Sequence, residues 1–217
     1  MRITINIIIL FFISLVLLNP SLFAKEIILN DLQNGLSPKW KEKSFKGLTR
    51  YSVTKKDDRW CIKAESNDSA SGLYYEIDYD PGEYPIITWS WKIDHIISKG
   101  NAKTKQGDDY AARVYVVFHS FLFWKTRAIN YIWANKLPRG EFIPNSYTSN
   151  SIMIAVQSGP ENAGRWILER RNVVEDYKAA FGADPPKIEA IAIMTDTDNT
   201  GEKAEAWYGP IRILSLP

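Results

Sequence analysis

The sequence predicts a mainly β fold, an antiparallel β-sandwich of jelly-roll type with one short helix. Three observations carry this. Short runs in which apolar and polar residues alternate recur along the chain, as half-buried strands require. Clusters of Gly, Pro, Asn, Asp and Ser separate them. One stretch only, near residues 172–182, combines helical apolar spacing with start and stop signals. A closed barrel is the alternative arrangement of the same strands.

The N-terminus speaks to destination rather than fold. Arg2 precedes an apolar run over residues 5–18, which is broken by Asn19-Pro20-Ser21, and Ala24 offers a small residue before Lys25. That order is the order of a secretory signal peptide, residues 1–24. The apolar run falls short of the roughly 20 residues of a spanning helix. Leu22 is not ideal at its distance from the cut, so an uncleaved N-terminal anchor is the competing reading. No later apolar run is long enough to span. The expectation is a periplasmic or extracellular protein whose residues 25–217 form a single sandwich domain.

Composition excludes several function classes. The 217 residues carry 27 Lys and Arg against 25 Asp and Glu, a net charge of +2. The basic residues are scattered, which argues against a nucleic-acid partner. Cys61 is the sole cysteine, so no internal disulfide forms, and His95 and His119 are too few to build a Cys/His zinc site with it. Cys61 reads as a half-buried strand thiol. The 8 Trp, 11 Tyr and 9 Phe suit the packed faces of sheets, with two or three rings left over as a sugar-stacking platform.

Taken in order, residues 26–32 read as a short strand and residues 34–46 as a loop pinned to the body by Trp40 and Phe45. Strands are expected over 48–54, 59–65 and 72–79, the last closed by the Asp80-Pro81-Gly82 turn. Over 84–94, Ile87, Trp89, Trp91 and Ile93 share one face, whose company makes both tryptophans core; Lys92 shares the other. Over 110–119, Tyr110, Ala112, Val114, Val116 and Phe118 share one face, and Arg113 and Tyr115 point the opposite way together. Further strands are expected over 129–134, 151–158 and 166–170, for a total of about eight to ten. Residues 121–134 are dense in aromatics, with a bend before the strand. Asn172 is an N-cap, Val173, Tyr177 and Phe181 recur at helical spacing, and Gly182 ends the helix. Residues 187–214 then read as a buried strand, a carboxylate-rich loop and a closing strand.

That loop, residues 196–201, concentrates oxygen ligands. Asp196, Asp198 and Gly201 match positions one, three and six of an EF-hand, but Trp207 stands where its bidentate Glu belongs and no helices flank it. Asp196, Asp198 and Asn199 would form a weak calcium site, or cap a turn with their own side chains. Asp108 and Asp109 form a second acidic pair. With Asp196 or Asp198, either would make the two-carboxylate centre of a glycosidase. Arg113, Tyr115, Lys92 and Asp109 are the candidates for contact with a ligand's hydroxyls or an anion. No nucleophile elbow, HExxH helix or phosphate loop occurs.

The chain resembles the secreted bacterial family known as domain of unknown function 3047. The strings that carry the resemblance are Tyr84-Pro85 with Trp89-Ser90-Trp91-Lys92, then Gly107-Asp108-Asp109-Tyr110-Ala111-Ala112-Arg113-Val114-Tyr115-Val116, Asn130-Tyr131-Ile132-Trp133-Ala134, and Ile193-Met194-Thr195-Asp196-Thr197-Asp198-Asn199-Thr200. The resemblance implies no activity. It implies a sandwich like that of carbohydrate-binding and galactose-binding-like modules. The expectation is therefore a non-catalytic module for a glycan or another envelope component. The alternatives are a glycan hydrolase or lyase using the paired aspartates, and an envelope protein with protein partners only.

Overall fold

The computed structural model describes residues 24–29 and 31–216, apart from the side chain of Phe123. The predicted signal peptide lies outside the described residues except for Ala24. Fourteen strands and one helix follow in the order β1 (Glu26–Ile28), β2 (Trp40–Lys46), β3 (Arg50–Lys56), β4 (Arg59–Asn67), β5 (Ala70–Tyr79), β6 (Ile86–Ile93), β7 (Arg113–Phe118), β8 (Arg127–Ala134), β9 (Phe142–Pro144), β10 (Ser151–Ser158), β11 (Ile167–Asn172), α1 (Val173–Phe181), β12 (Ile188–Asp196), β13 (Lys203–Tyr208) and β14 (Arg212–Leu214). No described helix is long and apolar enough to cross a membrane.

The strands form two seven-stranded sheets. The first runs β1-β14-β6-β13-β4-β3, with β11 also paired to β6, and the second runs β2-β5-β12-β7-β8-β10-β9. The pairings are antiparallel except for β8 with β10, which run parallel. This is the predicted sandwich. The closing strand expected over the last residues is two strands: β13 pairs with the end of β6 and β14 with its start. Between them Gly209 donates its N–H to the Ser90 carbonyl (2.8 Å) and keeps both in line.

Alternation decides what lies between the sheets. Trp89 and Trp91 of β6 point inward, and their rings meet Tyr131 and Trp133 of β8 at centroid distances of 5.1 and 5.7 Å. Val114, Val116 and Phe118 of β7 and Ile191 and Ile193 of β12 complete the same core. Asn172 caps α1 by accepting from the N–H groups of Val174 and Glu175, and Gly182 ends it at φ 67°. Tyr177 then packs on Phe118 at 4.5 Å, closing one end of the core.

Several expectations need correction. Residues 40–46 are not loop but the edge strand β2: Trp40 is buried, and the Lys-rich remainder satisfies a solvent-facing edge. Phe45 does not pin this segment to the body; it is 65% exposed. Tyr110 does not share the face of Val114, because β7 begins only at Arg113. Tyr110 instead joins Ala102, Ile132, Leu137 and Met153 in a second apolar cluster outside the second sheet. Cys61 is fully rather than half buried, and burial pushes its thiol up to about 11. The exposed aromatic rings, Phe45, Phe121, Trp124, Phe142 and Tyr147, outnumber the two or three expected.

The second cluster lies under the loop that follows β6. Its geometry depends on Gly107, where an added Cβ would come within 2.5 Å of the Asn101 backbone nitrogen. Gly107→Ala is therefore expected to lower unfolding free energy by about 1–3 kcal/mol. Urea titration measures this, and an unchanged midpoint would remove the close approach from the account.

Candidate functional site

The outer face of the second sheet holds a broad concavity. Lys41, Tyr74, Ala192, Tyr115 and Asn130 stand side by side across β2, β5, β12, β7 and β8. The neighbouring row runs Lys43, Gly72, Met194 and Arg113. Ala192 and Gly72 are the small residues of these two rows, and larger side chains flank them. The result is a groove of about 600 Å³ with Ala190, Ala192 and Gly72 in its floor. Phe45, Tyr74 and Tyr115 supply rings to its walls, and Lys43, Glu76 and Glu189 supply charge. Lys41 pairs with Glu76 at 2.7 Å and His119 with Glu189 at 3.2 Å.

At the Tyr115 end the groove meets a buried polar cluster built around Arg113. Its Nε donates to Asp196 Oδ1 (2.8 Å), its Nη2 to Asp196 Oδ2 and to the Asp108 carbonyl, and its Nη1 to the Tyr115 hydroxyl (3.2 Å). The guanidinium stacks on Tyr110 at 4.3 Å. Burial opposes its charge, but Asp196 and the neighbouring acidic groups outweigh this and raise its pKa. Burial raises the Tyr115 hydroxyl to about 12 against the influence of Arg113.

The two acidic stretches do meet. Carboxylate oxygens of Asp109, Asp196 and Asp198 lie within 4.8 Å of one another. Asp109 clamps the 196–201 loop, accepting from the Asn199 N–H and Nδ2 (3.2 Å each) and from the Thr200 N–H (2.7 Å). Burial pushes the Asp196 carboxyl up, with Asp109 and Asp108 adding to the rise, while the Arg113 guanidinium favours its charged form. A buried carboxyl pushed up in this way is also a feature of glycosidase acids. Yet Asp196 is 2% exposed and Asp109 fully buried, so no glycosidic bond reaches between them. Asp198 is half-buried, its carboxyl also raised by burial and by Asp109, and its carbonyl accepts from Lys46.

Asp108 is outside this trio but reaches the same guanidinium, its Oδ2 lying 3.7 Å from Arg113 Nη1. Its Oδ2 accepts from Asn145 Nδ2 (2.9 Å), and its buried Oδ1 has no partner among the described residues. The buried side chain of Asn130, register partner of Tyr115, likewise has no partner for either amide atom. The sequence did not single out Asn130, Tyr74 or Phe45 as site residues. A polar residue inside the apolar run Ile129-Asn130-Tyr131-Ile132-Trp133 was the available signal for Asn130. Lys92 is not brought to this site. It lies on the outer face of the first sheet, paired with Asp57 at 2.8 Å beside the Trp207 ring.

With this geometry in view, the sequence model of a family described as "Protein of unknown function (DUF3047)" matches residues 38–212. The chain belongs to that family. No protein of curated function matches it. Among solved structures, it is similar to a mutant of CBM29-2, a family 29 carbohydrate-binding module, at 10% identity over 88% of this chain and 86% of that one, with a TM-score of 0.43. It is also similar to the xyloglucanase domain of NopAA, a type three effector from Sinorhizobium fredii, at 7% identity, 89% and 98% coverage and a TM-score of 0.46. A third is the xylan-binding module CBM15, at 9% identity, 89% and 98% coverage and a TM-score of 0.40.

Two expectations follow from the cluster. Arg113→Met leaves the Asp196 carboxyl without its partner and is expected to cost about 3–5 kcal/mol in urea unfolding. The double variant Arg113→Met, Asp196→Leu should lose less than the sum of the two single variants, and strict additivity would show that the pair is not coupled. For calcium, the Asp196 oxygens are taken by Arg113 and the Tyr110 N–H, and Asn199 Oδ1 by the Tyr147 hydroxyl at 2.7 Å. With Arg113 supplying the countercharge, melting temperature is expected to be the same in EDTA and in calcium. A rise in calcium would place an ion against Asp109 and Asp198.

Proposed function

We propose that the outer groove of the second sheet binds a glycan chain without cleaving it. The observation that carries this is the pair of rings, Tyr74 and Tyr115, standing on either side of Ala192 in the groove lining, with Phe45 exposed at the rim. Aromatic faces accept the C–H face of a sugar ring, and a rim of charged side chains answers its hydroxyls. The groove crosses four strands, three gaps of about 4.8 Å or roughly 14 Å in all, which suits a short run of sugar units. The charges beside it are mostly paired within the protein, which favours a neutral ligand face over a polyanion. A ligand in the cell envelope accords with the export expected from residues 1–24.

Hydrolysis is the second reading, carried by the meeting of Asp109, Asp196 and Asp198. Their burial, and the engagement of Asp109 and Asp196 with partners inside the protein, favours binding instead.

The test is a polysaccharide panel, with retention and newly formed reducing ends scored in the same tubes. Retention without product is expected. Tyr74→Ala and Phe45→Ala should each weaken it by roughly 0.5–1.5 kcal/mol, severalfold to about tenfold in Kd, without changing the melt. Product that disappears in Asp198→Asn would make the protein an enzyme. Neither retention nor product across the panel would overturn the glycan reading and point to protein partners.

A further inference from the structure

The loop joining β7 to β8 gathers several exposed apolar residues at one point of the surface. Its sequence, His119-Ser120-Phe121-Leu122-Phe123-Trp124-Lys125-Thr126-Arg127, sets four consecutive apolar residues among basic ones. Phe121 is 98% exposed and Trp124 59%, and Leu122 is also exposed. This is not a slack segment. The Ser120 hydroxyl donates to the Leu122 carbonyl (3.0 Å), the Lys125 N–H donates to the same carbonyl (2.7 Å), and Asn150 Nδ2 donates to the Trp124 carbonyl (2.8 Å). The edge of Phe121 rests against His119. The fold thus holds large apolar side chains out in water, which costs free energy unless something covers them.

Directly behind the tip lies a second concavity of about 480 Å³. Among the residues that line it are His119, Ser120, Lys125, Arg127, Asn150 and Tyr177. Lys125 and Arg127 have no ion-pair partner among the described residues; Arg127 donates to the Tyr177 hydroxyl (3.2 Å) and stacks on Phe181 at 4.7 Å. His119 contacts the Glu189 carboxylate at 3.2 Å. An apolar tip beside a cationic, donor-lined hollow matches the chemistry of a bilayer surface, where acyl chains begin a few ångströms below anionic phosphates. Trp and Phe favour that boundary, and Lys and Arg reach from it to the headgroups.

We propose that this loop is a membrane-docking site. Phe121, Leu122 and Trp124 enter the headgroup boundary, and the hollow lined by Lys125 and Arg127 takes the phosphate of an anionic phospholipid. The charge of the hollow selects a phospholipid over an apolar protein groove as the occupant. The site is separate from the glycan groove: it sits beyond the strand end, and the His119–Glu189 contact lies between them.

The experiment is vesicle co-sedimentation of the chain from Lys25 onward, which carries all the described strands of both sheets and lacks the N-terminal apolar run. Vesicles of phosphatidylcholine alone are compared with equal parts phosphatidylcholine and phosphatidylglycerol. Sedimentation with the phosphatidylglycerol vesicles is expected, weakening as salt is added. Phe121→Asp with Trp124→Asp should lower the bound fraction by roughly tenfold or more, with an unchanged melt. Lys125→Glu should lower binding to phosphatidylglycerol vesicles only. Failure to sediment with either vesicle would overturn the proposal, as would undiminished binding by the tip variant. Binding of inorganic phosphate by calorimetry without vesicle binding would overturn it in favour of a free anion. A dimer in sedimentation velocity that the tip variant abolishes, again without vesicle binding, would overturn it in favour of a second copy of the chain.

Discussion

A guanidinium sealed inside one end of a sandwich must have its charge answered on the spot. Arg113 is 3% exposed, and the uncompensated burial of such a charge costs several kcal/mol. Asp196 supplies the counterion, Tyr115 and the Asp108 carbonyl take further N–H groups, and Tyr110 covers a face. These partners come from the loop before β7, from β7 itself and from the end of β12. Their demand for fixed geometry holds those segments together. Asp109 extends the hold by clamping the 196–201 loop, and Tyr147 locks a third loop onto Asn199.

The same end carries hydrogen bonds between the sheets. Tyr208 of β13 donates to the Met194 carbonyl of β12 at 2.7 Å, and Tyr51 of β3 donates to the Ser71 carbonyl of β5 at 2.6 Å. Thr195 bridges the Tyr208 hydroxyl and the Ala111 carbonyl. The opposite end is closed by α1, through Tyr177 on Phe118 and through the buried Asp176, which accepts from the Tyr131 hydroxyl of β8 (2.7 Å) and from Arg171 Nε of β11 (2.9 Å). Polar closure fixes positions by direction, because a buried donor or acceptor left unmatched is costly. The groove wall at Tyr115 is held by the first of these ends, while the loop between β7 and β8 rises from the other.

The second sheet is divided by what covers it. Over β8 and β10 the outer face is buried under the second apolar cluster, with Met153 and Ile132 beneath Tyr110 and Leu137. Over β2, β5 and β12 it is open, and there the floor is built from Gly72, Ala190 and Ala192. Tyr115 stands at the boundary. The unpartnered amide of Asn130 lies on the covered side of it, beside Tyr115, where a water or a ligand group reaching past the wall would satisfy it.

Much of this was legible in the residues alone. Period-two alternation identified most strands, placed Trp89 and Trp91 in the core, and set Arg113 and Tyr115 on a common face, because side-chain direction follows local backbone geometry. Asn172 and Gly182 marked the helix through local capping and a local left-handed turn. Strand β2 was missed, since a solvent-facing edge has no apolar pattern to announce it. Other features depend on pairings between distant segments. The approach of Asp109 to Asp198, the placement of Lys92 on the other sheet from Tyr115, and the groove between Tyr74 and Tyr115 all follow from strand order and register. The sequence by itself determined which faces are apolar and where the chain turns, since these are nearest-neighbour properties. Only the tertiary structure decided which faces meet, which carboxylates are sealed from water and which rings stay exposed, because burial is set by the whole packed molecule.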